Sequence, residues 1–267
     1  MLDLKQLTTD VCRIATEVGY FLKEERKNFR RERVVEKHAH DYVSYVDKES
    51  EVRVVKAITA LLPEAGFITE EGSATYQDEP YCWVIDPLDG TTNYIHDEAP
   101  YCVSIALRSR TELLLGVVYE VCRDECFYAW KGGKAFMNGE EIHVSNVEDI
   151  KDAFVITELP YNHLQYKQTA LHLIDQLYGV VGGIRMNGSA AAAICYVAIG
   201  RFDAWMEAFL GKWDYSAAAL IVQEAGGKVT DFYGEDHFIE GHHILATNGN
   251  LHPFFQKLLA EVPPLNM

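Results

Sequence analysis

The segment WVIDPLDGTTN at residues 83–93 constrains this chain most, because an apolar run leads directly into two acids, a proline and a glycine. The apolar run predicts a buried β-strand, and Pro87, which has no N–H to donate to a neighbouring strand, predicts that the strand stops there. Asp86 and Asp89 lie three residues apart at that strand end, where a turn can direct both carboxylates to one point. Two carboxylates about 4 Å apart repel each other by about 4 kcal/mol at an effective dielectric near 20. Such an arrangement therefore needs a shared proton or a bound cation.

The same two acids have a simpler interpretation, because Asp beside Pro and Gly is common in turns and at helix starts. Oxygen-only ligands, if they do bind a cation, favour a hard ion such as Mg²⁺. The Gly90-Thr91 step supports the cation interpretation, since backbone N–H groups that open a helix can bind a phosphate beside the ion. From this segment alone, a cation site and a structural turn are both possible interpretations.

The charge of the chain restricts its partners. Forty acidic residues against 24 basic ones give a net charge of −16 over 267 residues. This field repels phosphate backbones and anionic membranes, so we expect neither nucleic acid nor a membrane as a partner, although small phosphate esters held through cations remain compatible. The N-terminal residues do not have a signal-peptide pattern, and the longest apolar run, Ala190–Ile199, is too short to cross a bilayer. With six cysteines and no C-x-x-C pair, the chain is predicted to be cytoplasmic with reduced thiols.

Hydrophobic periodicity predicts the order of the elements. We expect a long amphipathic helix over residues 1–28, then a polar connector, and then a second helix between Asp47 and Pro63. Strands dominate from there to about residue 150, with a hairpin turn at Asn138-Gly139. After residue 150 strands and helices alternate, with Ser189 as the N-cap of one helix and a strand at Phe202–Met206. The pattern predicts one integrated α+β fold in packed layers, with a sheet-rich half at residues 1–150 built on a large antiparallel sheet and an alternating half at residues 151–267.

Four segments, in order along the chain, resemble the motifs of one family. Residues 86–93 resemble the D-P-[IL]-D-G-T-x-N signature of the inositol monophosphatase family. Residues 41–47 resemble its D-x-V-[TS]-x-x-D segment, and residues 67–71 its paired-glutamate segment. Trp213-Asp214, followed by an alanine-rich helix and then Glu224-Ala225-Gly226-Gly227, resembles its distal W-D motif. These matches span residues 41–227, which is most of the chain. The resemblance implies an α-β-α-β-α sandwich of the sugar-phosphatase type and a Mg²⁺-dependent, lithium-sensitive phosphomonoesterase.

The resemblance also implies roles for individual residues. Two or three Mg²⁺ ions would be bound by Glu70, Asp86, Asp89, Asp214 and the carbonyl oxygen of Leu88, with Asp214 contributed by the second half of the chain. Glu70 and Thr91 would position a water molecule that the metal activates, and Asp47 would accept a hydrogen bond from Thr91. The amides of Gly90 and Thr91 would bind the phosphoryl oxygens. The rest of the substrate would be bound by Asp89, Gly188, Ser189, Ala190 and Glu207.

Some of these residues have a purely structural explanation as an alternative to a role in catalysis. Asp47 and Asp214 each lie at the start of a predicted helix, where a role as N-cap would also explain them. Glu207 lies at the end of an apolar strand, where an acid without a partner is unfavourable. A salt bridge to Arg185 or Lys212 would explain Glu207 without a substrate.

Three segments depart from the family pattern, so the identity of the alcohol that hydrolysis releases is left open. Tyr215-Ser216-Ala217 follows Asp214 where many members have small residues that include glycine. Leu159-Pro160-Tyr161-Asn162 replaces a small, Gly/Ser-rich stretch near the substrate mouth, and His38-Ala39-His40 lies in a loop that often covers the metals. We therefore predict a phosphoric monoester hydrolase, a homodimer, that acts on inositol monophosphate or a related sugar phosphate. The alternatives within the family are hydrolysis of 3′-phosphoadenosine 5′-phosphate, fructose 1,6-bisphosphate, histidinol phosphate or NADP. A non-catalytic binding protein on the same fold is a further alternative.

Overall fold

Helices and sheets stack in five alternating layers in the computed structural model, which describes residues 2–30, 32, 34–38, 41–160 and 163–262. The layers follow the order α-β-α-β-α, as the resemblance implied. Each of the three apolar clusters lies where a helical layer packs on a sheet, because each sheet face and helix stripe must be covered by a neighbour. Ala39, His40, Tyr161 and Asn162, which the departures from the family pattern include, lie outside the described residues.

The first two layers are a helix pair and a seven-stranded sheet. The helices are α1 (Leu4–Lys27) and α2 (Tyr45–Thr59), and the buried stripe of α1, which includes Val11, Ile14 and Val18, packs on the sheet. The sheet has its strands in sequence order: β3 (Gly66–Thr69), β4 (Tyr81–Asp89), β5 (Cys102–Ser109), β6 (Leu113–Glu120), β7 (Glu125–Trp130), β8 (Ala135–Met137) and β9 (Glu140–Ile142). Two short strands, β1 (Val35–His38) and β2 (Asp41–Val43), pair with each other in the segment between α1 and α2.

The remaining layers are a central helix pair, a five-stranded sheet and an outer helix pair. The sheet order is β11 (Gly183–Arg185), β10 (Phe154–Thr157), β12 (Ala204–Ala208), β14 (His243–Thr247) and β13 (Lys228–Thr230), with β10 parallel to both of its neighbours. The central helices α5 (Ala190–Ala198) and α6 (Lys212–Glu224) lie between the two sheets. Every residue of α5 is buried, which is why this helix is apolar on all sides. The outer helices are α4 (Lys167–Leu177) and α7 (His252–Ala260), and the short α3 (Thr91–His96) follows β4.

Several predicted elements are confirmed by this architecture. The hairpin turn at Asn138 and Gly139 has positive φ at both residues, 50° and 92°, which is the conformation that an Asn-Gly turn favours. Ser189 is the N-cap of α5, and its hydroxyl accepts a hydrogen bond from the Ala192 amide.

No helix within the described ranges combines the length and the apolar character that crossing a bilayer requires.

The structure corrects four expectations. β4 does not stop at Pro87: the strand continues to Asp89 through a bulge, and its pairing shifts from Asp86 opposite Ser104 to Asp89 opposite Cys102. Pro87 is tolerated because a bulged residue does not need to donate to the ladder. The connector after α1 contains β1 and β2, the large sheet has one parallel pair, β3 with β4, and the strand predicted at Phe202–Met206 lies two residues later, as β12.

Candidate metal centre

Three aspartates converge where β4 ends and α6 begins. The bulge in β4 places Asp86 and Asp89 on one side of the strand end, and the Leu88 amide donates a hydrogen bond to Asp86 Oδ1 at 2.9 Å. Asp214 comes from the first turn of α6, across the central layer. One carboxylate oxygen from each aspartate lies within 4.8 Å of the others. The three side chains are placed to share one cation.

The electrostatics of this cluster favour a bound cation. Burial raises the pKa of Asp86 well above its usual value, and the negative charges of Glu70, Asp89 and Asp214 raise it further. Glu70 follows β3, and its amide donates to the Ile85 carbonyl of β4 at 3.2 Å, so the parallel pairing of these strands brings Glu70 to the same edge. The charged groups with the largest effects on the pKa of Asp86 are thus acids. An oxygen-only, negatively charged set of this kind fits Mg²⁺.

The buried Asp47 and the half-buried Thr91 form a hydrogen-bonded pair close to the three aspartates. The Thr91 hydroxyl lies 2.9 Å from Asp47 Oδ1 and 3.0 Å from the Leu88 carbonyl oxygen, both of which are acceptors. Asp47 Oδ2 accepts hydrogen bonds from the amide and the hydroxyl of Ser44, the N-cap of α2. Asp47 is thus the third residue of a capping box, not the N-cap that the sequence left open. Burial raises the pKa of Asp47, and the hydrogen bonds from Ser44 and Thr91 oppose this rise.

Asp214 is the third residue of α6, the position that Asp47 has in α2. Gly211 is the N-cap of α6, and its amide donates to Asp214 Oδ2 at 2.6 Å. A contact with the helix cap and a role at a metal centre are therefore compatible, since this hydrogen bond uses one of the two carboxylate oxygens.

Asp89 is bound by the N-terminus of α5. The amides of Ala190 and Ala191 donate to Asp89 at 3.2 and 2.8 Å, and the hydroxyl of Ser189 donates to the same carboxylate. The thiol of Cys102 adds a contact at 3.3 Å. The polar donors of Ser189 and Ala190, which the resemblance assigned to the substrate, are thus engaged with Asp89.

Glycine is required where the chain turns between the aspartates and α3. Gly90 has a φ of 91°, a region that other residues rarely adopt, and a Cβ there would lie 3.0 Å from the Pro100 carbonyl oxygen and 3.3 Å from that of Gly188. Asn93 closes this contact, since its side-chain amide donates to the carbonyl oxygens of Pro100 and Asn187 at 2.8 and 2.7 Å. These bonds hold the loop after β4 against the loop that precedes α5.

Glu207 does not have the salt bridge that the sequence offered as its alternative. Lys212 pairs with Glu240 instead, and Arg185 donates to the Ile184 carbonyl at 2.8 Å, with its guanidinium 4.7 Å from the centre of the Phe154 ring. Burial raises the pKa of Glu207 well above its usual value, and so do the charges of Glu158, Asp214 and Asp89. Glu207 follows Trp205 of the central apolar cluster by two strand residues, so it lies on the side of the sheet that faces the central helices.

Two further acids at this site were not identified from the sequence. Glu51 of α2 is fully buried and accepts the amides of Glu71 and Ser73, both at 2.7 Å, so it holds the loop that carries Glu70. Glu158 follows β10 and accepts the amides of Asn187 and Gly188. Both could have been recognised from the sequence in the same way. Each is an acid at a position where the apolar pattern predicts a core residue, on the buried face of α2 for Glu51 and at the end of a strand for Glu158.

Comparison with known proteins gives a consistent result. A sequence model described as the inositol monophosphatase family matches residues 3–263. An inositol monophosphatase from Dictyostelium discoideum is 35% identical over 98% of both chains, and a protein from Pseudomonas aeruginosa named Nus factor SuhB is 39% identical over 86% of both. The solved structure of an inositol monophosphatase from Anabaena (Nostoc) matches with a TM-score of 0.88 and 32% identity over 99% of both chains.

Proposed function

The chain belongs to the inositol monophosphatase family and is a phosphomonoesterase, and we propose that it hydrolyses inositol monophosphate or a related sugar phosphate with two or three bound Mg²⁺ ions. The observation that supports this proposal is the convergence of carboxylate oxygens from Asp86, Asp89 and Asp214 within 4.8 Å. Glu70 and the carbonyl oxygen of Leu88 would complete the ligand set. When bound, Mg²⁺ lowers the pKa of a water molecule and stabilises the negative charge that develops on the ester oxygen.

The pair formed by Thr91 and Asp47 would orient the attacking water. Both groups within hydrogen-bond distance of the Thr91 hydroxyl are acceptors, so its proton points to Asp47 or to Leu88. The lone pairs of the Thr91 oxygen then remain to accept a hydrogen bond from water, together with Glu70. Asp47 acts through Thr91 in this proposal and is a positioning residue.

The turn at Gly90 would receive the phosphoryl group. Gly90 and Thr91 directly follow Asp89 and begin α3, and the absence of a Cβ at Gly90 lets the chain pass close to Pro100 and Gly188. Backbone N–H groups at such a turn stabilise the charge that the phosphoryl oxygens carry in the transition state.

The test is phosphate release from a panel of esters, with Mg²⁺ and with a chelator. The panel contains inositol 1-phosphate, fructose 1,6-bisphosphate, histidinol phosphate, NADP and 3′-phosphoadenosine 5′-phosphate, compared by kcat/KM. We expect hydrolysis of at least one ester that the chelator abolishes, with inositol 1-phosphate among the substrates. If no ester is hydrolysed in Mg²⁺, the proposed activity is wrong. If another ester is hydrolysed and inositol 1-phosphate is not, the proposed substrate is wrong.

The name of the Pseudomonas relative, Nus factor SuhB, introduces a second candidate, in which the fold acts through binding and not through hydrolysis. Retention of Glu70, Asp86, Asp89 and Asp214 favours catalysis, because a chain used only for binding has no need of a converging acidic set. Asp89→Asn separates the candidates, since a function that survives this change does not depend on hydrolysis.

We also propose that the protein is a homodimer, as the family resemblance implied. Light scattering on the eluted peak of a sizing column measures the mass directly, and a dimer gives twice the chain mass of 30.2 kDa. A peak with the mass of a single chain at micromolar concentration contradicts this proposal.

A further inference from the structure

Glu240 joins the start of α6 to the large sheet. Its Oε1 accepts a hydrogen bond from the Arg108 guanidinium of β5, and its Oε2 accepts one from the Lys212 ammonium. Lys212 is the first residue of α6, and Asp214, one of the three converging aspartates, is the third. Lys212 is therefore a cation two residues away from a candidate metal ligand, and its charge is held by Glu240.

Arg108 is a fixed anchor for Glu240. The Arg108 side chain is only 9% exposed, and it also donates to the carbonyl oxygens of Ser109 and Arg110, at 3.1 and 3.0 Å. A guanidinium that is bound at three points keeps one position. The Glu240 carboxylate that pairs with it is therefore held at the edge of the large sheet.

The backbone on both sides of Glu240 is attached to α6 as well. The hydroxyl of Tyr215, the fourth residue of α6, lies 2.7 Å from the Phe238 carbonyl oxygen and 2.8 Å from that of Gly241. This contact keeps the segment that carries Glu240 next to the helix start. Glu240 thus stays within reach of Lys212.

Without this partner, the Lys212 ammonium can reach Asp214. The Gly211 amide lies 2.6 Å from Asp214 Oδ2, and Lys212 is the next residue. Standard bond lengths then place the Cα atom of Lys212 within about 8 Å of this oxygen. A lysine side chain has a flexible four-carbon stem, about 6 Å long, with the charge at its tip.

A lysine at the aspartates competes with a metal ion. Its charge neutralises part of the acidic cluster and repels a divalent cation in the same place. A lysine that is paired with a glutamate acts at a distance as a nearly neutral pair, so its effect on a metal ion is small. The charge of Glu240 therefore decides whether Lys212 opposes metal binding.

We propose that Glu240 is a positioning residue for the metal centre, which holds the Lys212 ammonium away from Asp214 and so leaves the aspartates available for Mg²⁺. This inference rests on the proposed function, because it assumes that the three aspartates bind Mg²⁺. Glu240 does not contact the metal ion in this proposal and acts only through Lys212.

The test measures binding of Mg²⁺ alone to the metal-free protein by isothermal titration calorimetry, after circular dichroism has shown that each variant is folded. Glu240→Gln keeps the size of the side chain and removes its charge. We expect it to raise the dissociation constant of Mg²⁺ by about 5-fold to 30-fold, since repulsion between one positive charge and a divalent ion about 7 Å away is of this size in a partly solvated site. The double variant Glu240→Gln, Lys212→Met should return the constant to the wild-type value.

Two single variants complete the design. Lys212→Met leaves Glu240 paired with Arg108 and should not weaken Mg²⁺ binding, so it tests the inference independently of Glu240→Gln. The matched control is Glu24→Gln, which removes the same charge from an exposed pair with Lys27 on α1, on the other face of the large sheet. It should leave the dissociation constant unchanged.

The double variant distinguishes this inference from a purely structural role. If the three residues only fasten α6 to the sheet, Lys212→Met weakens Mg²⁺ binding and the double variant stays weak, and the inference is overturned. Wild-type affinity in Glu240→Gln also overturns it, while the proposed metal site stands. If the wild-type protein binds no Mg²⁺, both the inference and the proposed metal site are wrong.

Discussion

Replacing Glu158 by Gln should stabilise the metal-free protein, and the gain should grow as the pH rises. Burial raises the pKa of Glu158 from 4.5 to about 7, against the opposing effect of the amides of Asn187 and Gly188. Gln keeps a carbonyl oxygen for both of these donors and has no proton to lose. The substitution therefore reproduces the protonated form of Glu158 at every pH.

The size and sign of the effect follow from the two pKa values. Below pH 4.5 the folded and unfolded chains both hold the proton, and Glu158 makes no pH-dependent contribution. Between 4.5 and about 7 the folded state alone keeps the proton, so the free energy of unfolding falls as the pH rises. Each tenfold change in proton affinity is worth about 1.4 kcal/mol, which gives a loss of about 3 kcal/mol once the pH is well above 7. Of this loss, about 2 to 3 kcal/mol falls between pH 5 and pH 8.

The assay is urea unfolding followed by circular dichroism, with a chelator present, at several pH values from 5 to 8. The difference in unfolding free energy between Glu158→Gln and wild type should increase by about 2 to 3 kcal/mol across this range. Acids that do not interact with Glu158 contribute equally in both proteins and cancel in this difference, whereas Asp89 and Glu207 are coupled to Glu158 and belong to the measured effect. Glu148→Gln is the control and should show a difference that stays constant. A constant difference for Glu158→Gln as well would refute the reasoning, because it would mean that Glu158 has the same pKa in the folded and unfolded chains.

Three further outcomes are expected. Asp89→Asn should lower kcat/KM by about 100-fold or more while the protein still folds, since Asn keeps one acceptor for the amides of α5 but loses the charge that a cation requires; activity close to wild type would remove Asp89 from the ligand set. Glu51→Gln should raise the Mg²⁺ concentration for half-maximal activity by about 10-fold to 100-fold, because it loosens the loop of Glu70. The exposed Glu49→Gln on the same helix is its control, and an equal effect of both would contradict a positioning role. Gly90→Ala should lower the unfolding free energy by about 1 to 2 kcal/mol, measured by thermal unfolding, because Ala is strained at a φ of 91°; unchanged stability would show that the turn adapts.

Much of the layered fold was predictable because each layer has its own hydrophobic period. The stripe of α1 repeats at helical spacing, and α5 is apolar on all sides because it lies between two sheets. The bulge in β4 was not predictable in this way. Pro87 does remove a ladder donor, but only the partner strand β5 shows that the chain can skip two residues and resume pairing at Asp89. The sequence around Pro87 shows that one strand hydrogen bond is lost. It does not show whether the neighbouring strand can still pair with the residues that follow.

The residue types of the candidate site were predictable from the sequence, but the hydrogen bonds that connect them were not. The spacing of Asp86 and Asp89 indicated two carboxylates at one point, and the structure places Asp214 with them across more than a hundred residues of sequence. What the sequence could not show is which donors each acid already binds. Gly188 donates its amide to Glu158, and Ser189 donates to Asp89, so residues that the resemblance assigned to the substrate are engaged within the protein. Such pairings depend on the approach of α5 to β4, which no local pattern encodes.

Helix N-termini help to explain how these acids can lie close together. Asp47 binds the N-cap amide of α2, Asp214 binds the N-cap amide of α6, and Asp89 binds the first amides of α5. Each helix start carries a partial positive charge of about half a unit, and a carboxylate placed there gains about 0.3 to 2 kcal/mol. An arginine would neutralise a carboxylate fully and occupy both of its oxygens, and a cation could then bind only by displacing it. The helix starts offset part of the repulsion and leave the cluster negative, so the remaining charge is available for Mg²⁺. This arrangement would let the protein fold with its aspartates close together and still charged enough to bind a metal ion.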